Sequence, residues 1–225
     1  MGGCRGGCSI ALSDGLASLA EIRIRRGNEH VRFVYVPSAI GSGMANAITG
    51  SFFLTETVTL AAASPGGTRL SATVDLSAYV NVPTGQAIAI SGVDFIYQTG
   101  TDFGTDVRSM LAGNGAVSVQ LTDLNPGTTF VRADNHSLIA SGSLNIDQLN
   151  CIATHTADLY PDSFGAAAQS ESFMVVNDTL YLTAGNDLSA VAGGILSVTA
   201  RIRCSVVKLK QADWIAIAIQ STAES

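Results

Sequence analysis

The chain has 225 residues, 12 basic against 18 acidic side chains, a formal charge of −6 and a hydrophobic share of 47%. Charged residues make up only 13%, about half of the roughly 25% usual for a soluble globular chain, and just two of them are lysines, Lys208 and Lys210. Because a lone soluble domain stays dispersed through such side chains, the composition argues against a free monomer as the working form.

A bilayer is a poor candidate for the missing cover. A transmembrane helix needs about 20 consecutive apolar residues, and the longest apolar stretches, 52–63 and 214–219, are short or broken by Thr and Glu. No membrane span is expected. The stretch 8–20 is interrupted by Ser9, Ser13, Asp14 and Ser18, so it lacks the apolar core of a secretory signal; the expectation is a chain that stays inside its cell or has been processed. Protein interfaces remain as the cover, since obligate interfaces resemble a domain core cut in half.

Charge is unevenly placed. Residues 1–35 carry five arginines against three acids, residues 36–200 three arginines against thirteen acids, and residues 201–225 four basic residues against two acids. Both ends are basic and the body is acidic, a pattern in which one pole faces an anionic partner.

In chain order, residues 1–8 are glycine-rich, with Cys4, Arg5 and Cys8, and read as a flexible arm. Leu12, Leu16 and Leu19 on one side predict a short helix over 10–20. Ile22 and Ile24 then alternate with Arg23 and Arg25, and Val31, Phe33 and Tyr35 with Arg32, Val34 and Val36, two strands about a turn at Gly27 and Asn28. Further strands are expected at 52–60, 70–76, 87–98, 116–122, 137–146 and 173–182, rich in Val, Ile, Thr and Phe. Turn signals separate or follow them at Pro65-Gly66-Gly67, Pro83-Thr84-Gly85, Gly113-Asn114-Gly115, Asn125-Pro126-Gly127 and Gly185-Asn186-Asp187. A second short helix is expected over 106–112 with Asp106 as N-cap, and a long connection over 160–172. Near the end, Val198, Ala200, Ile202, Cys204 and Val206 alternate with Thr199, Arg201, Arg203, Ser205 and Val207, and Ile215, Ile217 and Ile219 alternate with Trp214, Ala216 and Ala218, which reads as a terminal hairpin. The fold class is therefore all-β: an antiparallel, jelly-roll-like β-sandwich of about ten strands with one or two short helices. The expected organisation is an arm over 1–20 and a single domain over 21–225.

Chemistry-bearing constellations are sparse. Cys4-x3-Cys8 and Cys151-x3-His155 offer zinc ligands, but their spacing is not that of a finger and the pairs are far apart; buried single thiols at Cys151 and Cys204 are the better reading. Asp94, Asp102 and Asp106 gather carboxylates about a glycine, and calcium is the cation such a loop would hold, although the spacing is not that of an EF-hand. The Asp102-Phe103-Gly104 string lacks the rest of a kinase. Ser205-x-x-Lys208 lies in a strand whose geometry turns the two to opposite sides. His30, His136 and His155 sit near turns, and Asn135-His136-Ser137 and Asn177-Asp178-Thr179 match glycosylation sequons by coincidence. No catalytic constellation, cofactor site or small-molecule substrate emerges, so the chain is not expected to be an enzyme. The residues expected to contact nucleic acid or to line an inner face are Arg5, Arg23, Arg25, Arg26, Arg32, Arg201 and Arg203.

About ten strands over 21–221, a basic arm, two minor helices in loops and low surface charge together resemble the jelly-roll coat proteins of icosahedral viruses. The resemblance implies a capsid subunit, located in the virion, whose partners are copies of itself or a related shell subunit. Coat proteins that package a genome directly carry a far more basic arm than Arg5, Arg23, Arg25 and Arg26, which leaves an outer shell, a capsid over another layer or a non-viral compartment shell. The other expectation is a carbohydrate- or ligand-binding β-sandwich module on a surface, dependent on calcium.

Overall fold

The computed structural model of the chain describes residues 21–26, 29–34, 46–101, 106–157 and 172–222. Among them are twelve strands and one α-helix, in chain order β1 (Glu21–Arg26), β2 (Glu29–Val34), β3 (Asn46–Ala47), β4 (Phe52–Leu60), β5 (Arg69–Asp75), β6 (Gln86–Thr99), β7 (Gly115–Thr122), β8 (Leu138–Asp147), β9 (Ile152–Ala157), β10 (Phe173–Val175), β11 (Thr179–Asp187), β12 (Leu196–Lys208) and α1 (Gln211–Thr222). The chain divides into two units, 1–42 and 43–225. Whereas the sequence suggests a boundary at residue 21, the β1–β2 hairpin falls in the first unit, with Arg23 opposite Arg32 and Arg25 opposite His30.

The second unit is built by nested antiparallel pairing. β4 pairs with β12, β5 with β11, β6 with β10 and β7 with β8, while β12 also pairs with β6 and β11 with β7. One long hairpin has thus folded over on itself into two facing sheets, β4-β12-β6-β10 and β5-β11-β7-β8, with β3 joining β12 and β9 joining β8 at the margins. This is the jelly-roll form of the β-sandwich.

Alternation drives it. Along β12, Leu196, Val198, Ala200, Ile202, Cys204 and Val206 are buried, while Arg201 and Arg203 are exposed. Facing residues of the second sheet, among them Leu121, Leu180 and Leu182, close the core from the other side. Complete burial of such a side chain contributes about 1.5–3 kcal/mol. A register shift at Arg203/Cys204 skips Ser91 of β6, so beyond this bulge Ala87 and Ala89 turn outward beside Val207.

That outward apolar seat decides the fate of the last segment. The expected second strand of a terminal hairpin is instead α1: Trp214, Ile217 and Ala218, spaced as neighbours on one helical face, pack on Ala87, Ala89, Val207 and Leu209. Alternating isoleucines are ambiguous over a short apolar run, and Ala212, Ala216 and Ala218 favour the helix. Further expectations change. The strand at 173–182 is two strands in different sheets, broken at 176–178. β9 was not anticipated, because Thr154-His155-Thr156 reads as polar. Cys151, expected to be buried, is exposed at φ 56° just before β9, whereas Cys204 is buried and its thiol is pushed up to about 12 by that burial. The helix expected over 106–112 is a single 3₁₀ turn, Val107–Met110, capped as expected by Asp106, whose carboxylate accepts from the Arg108 N–H. The stretch 10–20, Gly27, Asn28 and nearly all of 160–172 lie outside the described residues.

Gly185-Asn186-Asp187, read as a turn, is the end of β11. Glycine is needed at 185 because a Cβ there would lie 2.6 Å from the Thr68 carbonyl oxygen. Asn186, 0% exposed, donates its amide to the carbonyls of Ser64 (3.3 Å), Pro65 (3.1 Å) and Ser189 (2.8 Å). It clasps the β4–β5 turn to the turn after β11. Asn186→Ala takes from the Ser189 carbonyl its donor, whereas the Ser64 carbonyl still accepts from the Val191 N–H (2.9 Å) and the Pro65 carbonyl from Thr68; the expected loss is about 2 kcal/mol, or roughly 6 °C in Tm for a unit of this size, and thermal unfolding followed by circular dichroism measures it.

Candidate interaction surface

The two outer faces of the sandwich differ. On the second sheet the loop after β7 folds back over the strands. The Gln120 side chain both donates to the Val131 carbonyl (2.9 Å) and accepts from its N–H (2.8 Å), Ser71 Oγ donates to the Gly127 carbonyl (2.9 Å), and the Arg69 guanidinium lies 4.7 Å from the Phe130 ring centroid while pairing with Asp187 at 2.7 Å. Thr183, beneath this loop, is fully buried although its side faces outward. This face is largely sealed by the chain itself.

On the first sheet, α1 covers one end and the rest is exposed. Register sets Phe53 of β4 beside Arg203 of β12 and Thr55 beside Arg201, with Gly92 and Asp94 of β6 on the other flank. The Arg201 guanidinium sits over the Phe53 ring at 4.2 Å and that of Arg203 at 5.7 Å. Phe53 remains 44% exposed. Two stacked cations, each worth about 0.5–1 kcal/mol at such a site, hold the ring and are themselves held extended. Next to them Thr57 and Thr199 share a hydroxyl hydrogen bond of 2.9 Å. The face thus presents an aromatic ring and two arginines, residue types enriched at interface centres, beside threonine hydroxyls and the exposed carboxylate of Asp94. Neither arginine makes an ion pair among the described residues.

Of the arginines expected to contact an anion, Arg201 and Arg203 are brought together here. Arg23, Arg25, Arg26 and Arg32 lie in the β1–β2 hairpin of the other unit, and Arg5 lies outside the described residues. The trio expected for calcium is not seen as a cluster: Asp94 stands on the first sheet, Asp106 is forked onto Arg108 by contacts of 2.6–3.0 Å that hold its carboxyl below the usual range, and Asp102 lies outside the described residues. Among the described residues no three His, Cys, Asp or Glu side chains come together as a metal set. An open depression of about 710 Å³ is lined by Asp106, Arg108, Gln148 and Cys151, where Arg108 is already occupied by Asp106 and Gln148 donates to the carbonyls of Arg108 and Leu111. Both sequon asparagines serve the fold: Asn135 accepts from Ser137, and Asn177 donates to the Asp123 carbonyl at 3.0 Å.

Phe53 was absent from the sequence expectations, yet a signal existed, since Thr55, Thr57 and Thr59 mark the polar parity of β4 and Phe53 shares it. A second omission is the acidic end of the second sheet. Asp75 closes β5 and Asp178 immediately precedes β11, linked through the Leu76 N–H to the Asp178 carbonyl at 2.7 Å. Both are exposed, and the Ser77 N–H and hydroxyl hold the Asp75 carboxyl below the usual range.

No family model and no curated protein matches this sequence. Similar solved structures include one titled Desmodium yellow mottle tymovirus, at 9% identity over 72% of this chain and 90% of that one with a TM-score of 0.29, and one titled nora virus structure, at 10% identity over 82% of this chain and 66% of that one with a TM-score of 0.30. At those values the likenesses carry no argument about this chain. The class that the chain's own strand pairing defines is a jelly-roll β-sandwich protein with an exposed Arg–Phe–Arg face.

Close to the acidic end lies Asp123, 3% exposed, with one carboxylate oxygen 3.5 Å from the Asn177 amide and the other without a hydrogen-bond partner among the described residues. Burial pushes its pKa up to about 6. The folded value exceeds the unfolded one, about 3.9, so ionisation opposes folding in full above pH 6, less between 6 and 4, and not at all below 4. Asp123→Asn is expected to stabilise the protein by about 3 kcal/mol at pH 7.5 and to be neutral at pH 3.5; urea unfolding at the two pH values tests the sign.

Proposed function

We propose that this chain is a structural, non-catalytic subunit that assembles with copies of itself into a shell, and that the shell is a viral capsid. The observation that carries the reading is a folded jelly roll that leaves large apolar side chains exposed on a chain short of charge. Among the described residues Ile48, Phe53, Val82, Leu149, Leu188, Ile195 and Ile215 are each more than two-fifths exposed, while charged residues are 13% of the sequence. Isolated exposed apolar residues are ordinary; what is unusual is their presence without the lysines and glutamates that keep a monomer dispersed. Cover by neighbouring subunits accounts for both. No helix among the described residues is long and apolar enough to cross a membrane, and α1 supports the same reading on a smaller scale: its inner side is docked, its outer side shows Ile215, and Asp213 is its one charged residue. A helix apolar on all sides belongs in an interior.

Size-exclusion chromatography with light scattering, followed by negative-stain microscopy, tests the proposal. Rings, closed shells or sheets are expected at micromolar concentration. A compact species of 23.1 kDa at every concentration and ionic strength ends it.

A further inference from the structure

The exposed face of the first sheet, where Arg201 and Arg203 outnumber the one carboxylate set beside Arg201 by register, Asp94, and the acidic end of the second are complementary in net charge and point in opposite directions. Arg201, Arg203 and Phe53 lie on the outer side of β12 and β4. Asp75 alternates with the core residues Val74 and Leu76 and so faces outward from the other sheet, with Asp178 next to it. Neither carboxylate has a cationic partner among the described residues.

We infer that the Arg201–Phe53–Arg203 face of one copy docks on the Asp75–Asp178 end of a second copy, a reading that rests on the self-assembly proposed above. Two features favour this occupant over an anionic polymer. The region 36–200 bears thirteen acids against three arginines, and its field repels a polyanion at long range while attracting a basic patch of another copy. Two arginines also supply few of the phosphate contacts from which non-specific nucleic-acid affinity is built. Phe53 gives the contact an aromatic centre, and arginines that are already stacked lose less side-chain freedom when they meet carboxylates.

The geometry also sets the symmetry. Because the two patches face opposite ways, one neighbour cannot engage both, and the contact is head-to-tail. Such contacts generate rings or extended arrays rather than closed two-fold dimers.

The test uses four full-length chains: wild type, Arg201→Glu with Arg203→Glu, Asp75→Arg with Asp178→Arg, and the combination of all four changes. All four sites are exposed, and circular dichroism verifies that each variant is folded. Either two-site variant is expected to associate at least about a hundredfold more weakly than wild type, because like charges then face each other. An equimolar mixture of the two, and the combined chain, are expected to assemble again. The contact is overturned if either two-site variant assembles like wild type, if the mixture and the combined chain both stay monomeric, or if the glutamate pair leaves assembly intact and instead abolishes binding of a fluorescent 20-nucleotide oligouridylate. A wild type that assembles alongside its variants removes only this contact, whereas a wild type that is monomeric throughout removes the shell reading as well.

Discussion

Strand β12 is the constraint on which the rest depends. It is paired along one edge with β4 and along the other with β6, so thirteen residues near the end of the chain must align with β6, and nine of them with β4 as well, strands synthesised about a hundred residues or more earlier. A slip of one residue would expose Val198, Ala200 and Ile202 and bury Arg201 and Arg203. The penalty for burying two guanidinium groups fixes the register from one side and the gain from six apolar side chains fixes it from the other. Once β12 is seated, the remaining pairs nest inside the same fold of the chain.

The consequence for the surface is direct. Because β12 is central in its sheet, its outward residues lie in the middle of a face rather than at a rim, and Arg201 and Arg203 meet Phe53 there through cross-strand and diagonal contacts. The opposite sheet spends its outward polar groups on its own loop, through Gln120, Ser71 and Arg69. One outer face of the sandwich is therefore largely covered by the chain's own loop, whereas the other is covered at one end only, by α1.

Much of this was legible in the sequence because strands write their burial in a period of two. β4, β5, β7 and β8 were placed within a residue of their ends, and the alternation at 198–206 already put Arg201 and Arg203 on the polar side. The failures share a cause. Gly185-Asn186-Asp187 has the composition of a turn, yet the glycine answers a nearby carbonyl and the asparagine two backbone groups far off in the chain besides a local one. Ile215, Ile217 and Ile219 alternate as a strand would, yet the seat offered by Ala87, Ala89 and Val207 accepts a helix.

By itself the sequence determined the class of the protein, all-β and sandwich-like, together with its shortage of surface charge, because these follow from local periodicity and composition. Only the tertiary structure decided which strands pair, that the pairs nest as a jelly roll, that Phe53 lies under Arg201 and Arg203, and that the Asp75–Asp178 end faces away from them. Those facts depend on register between segments far apart in the chain, and no local pattern records which distant strand will be a neighbour.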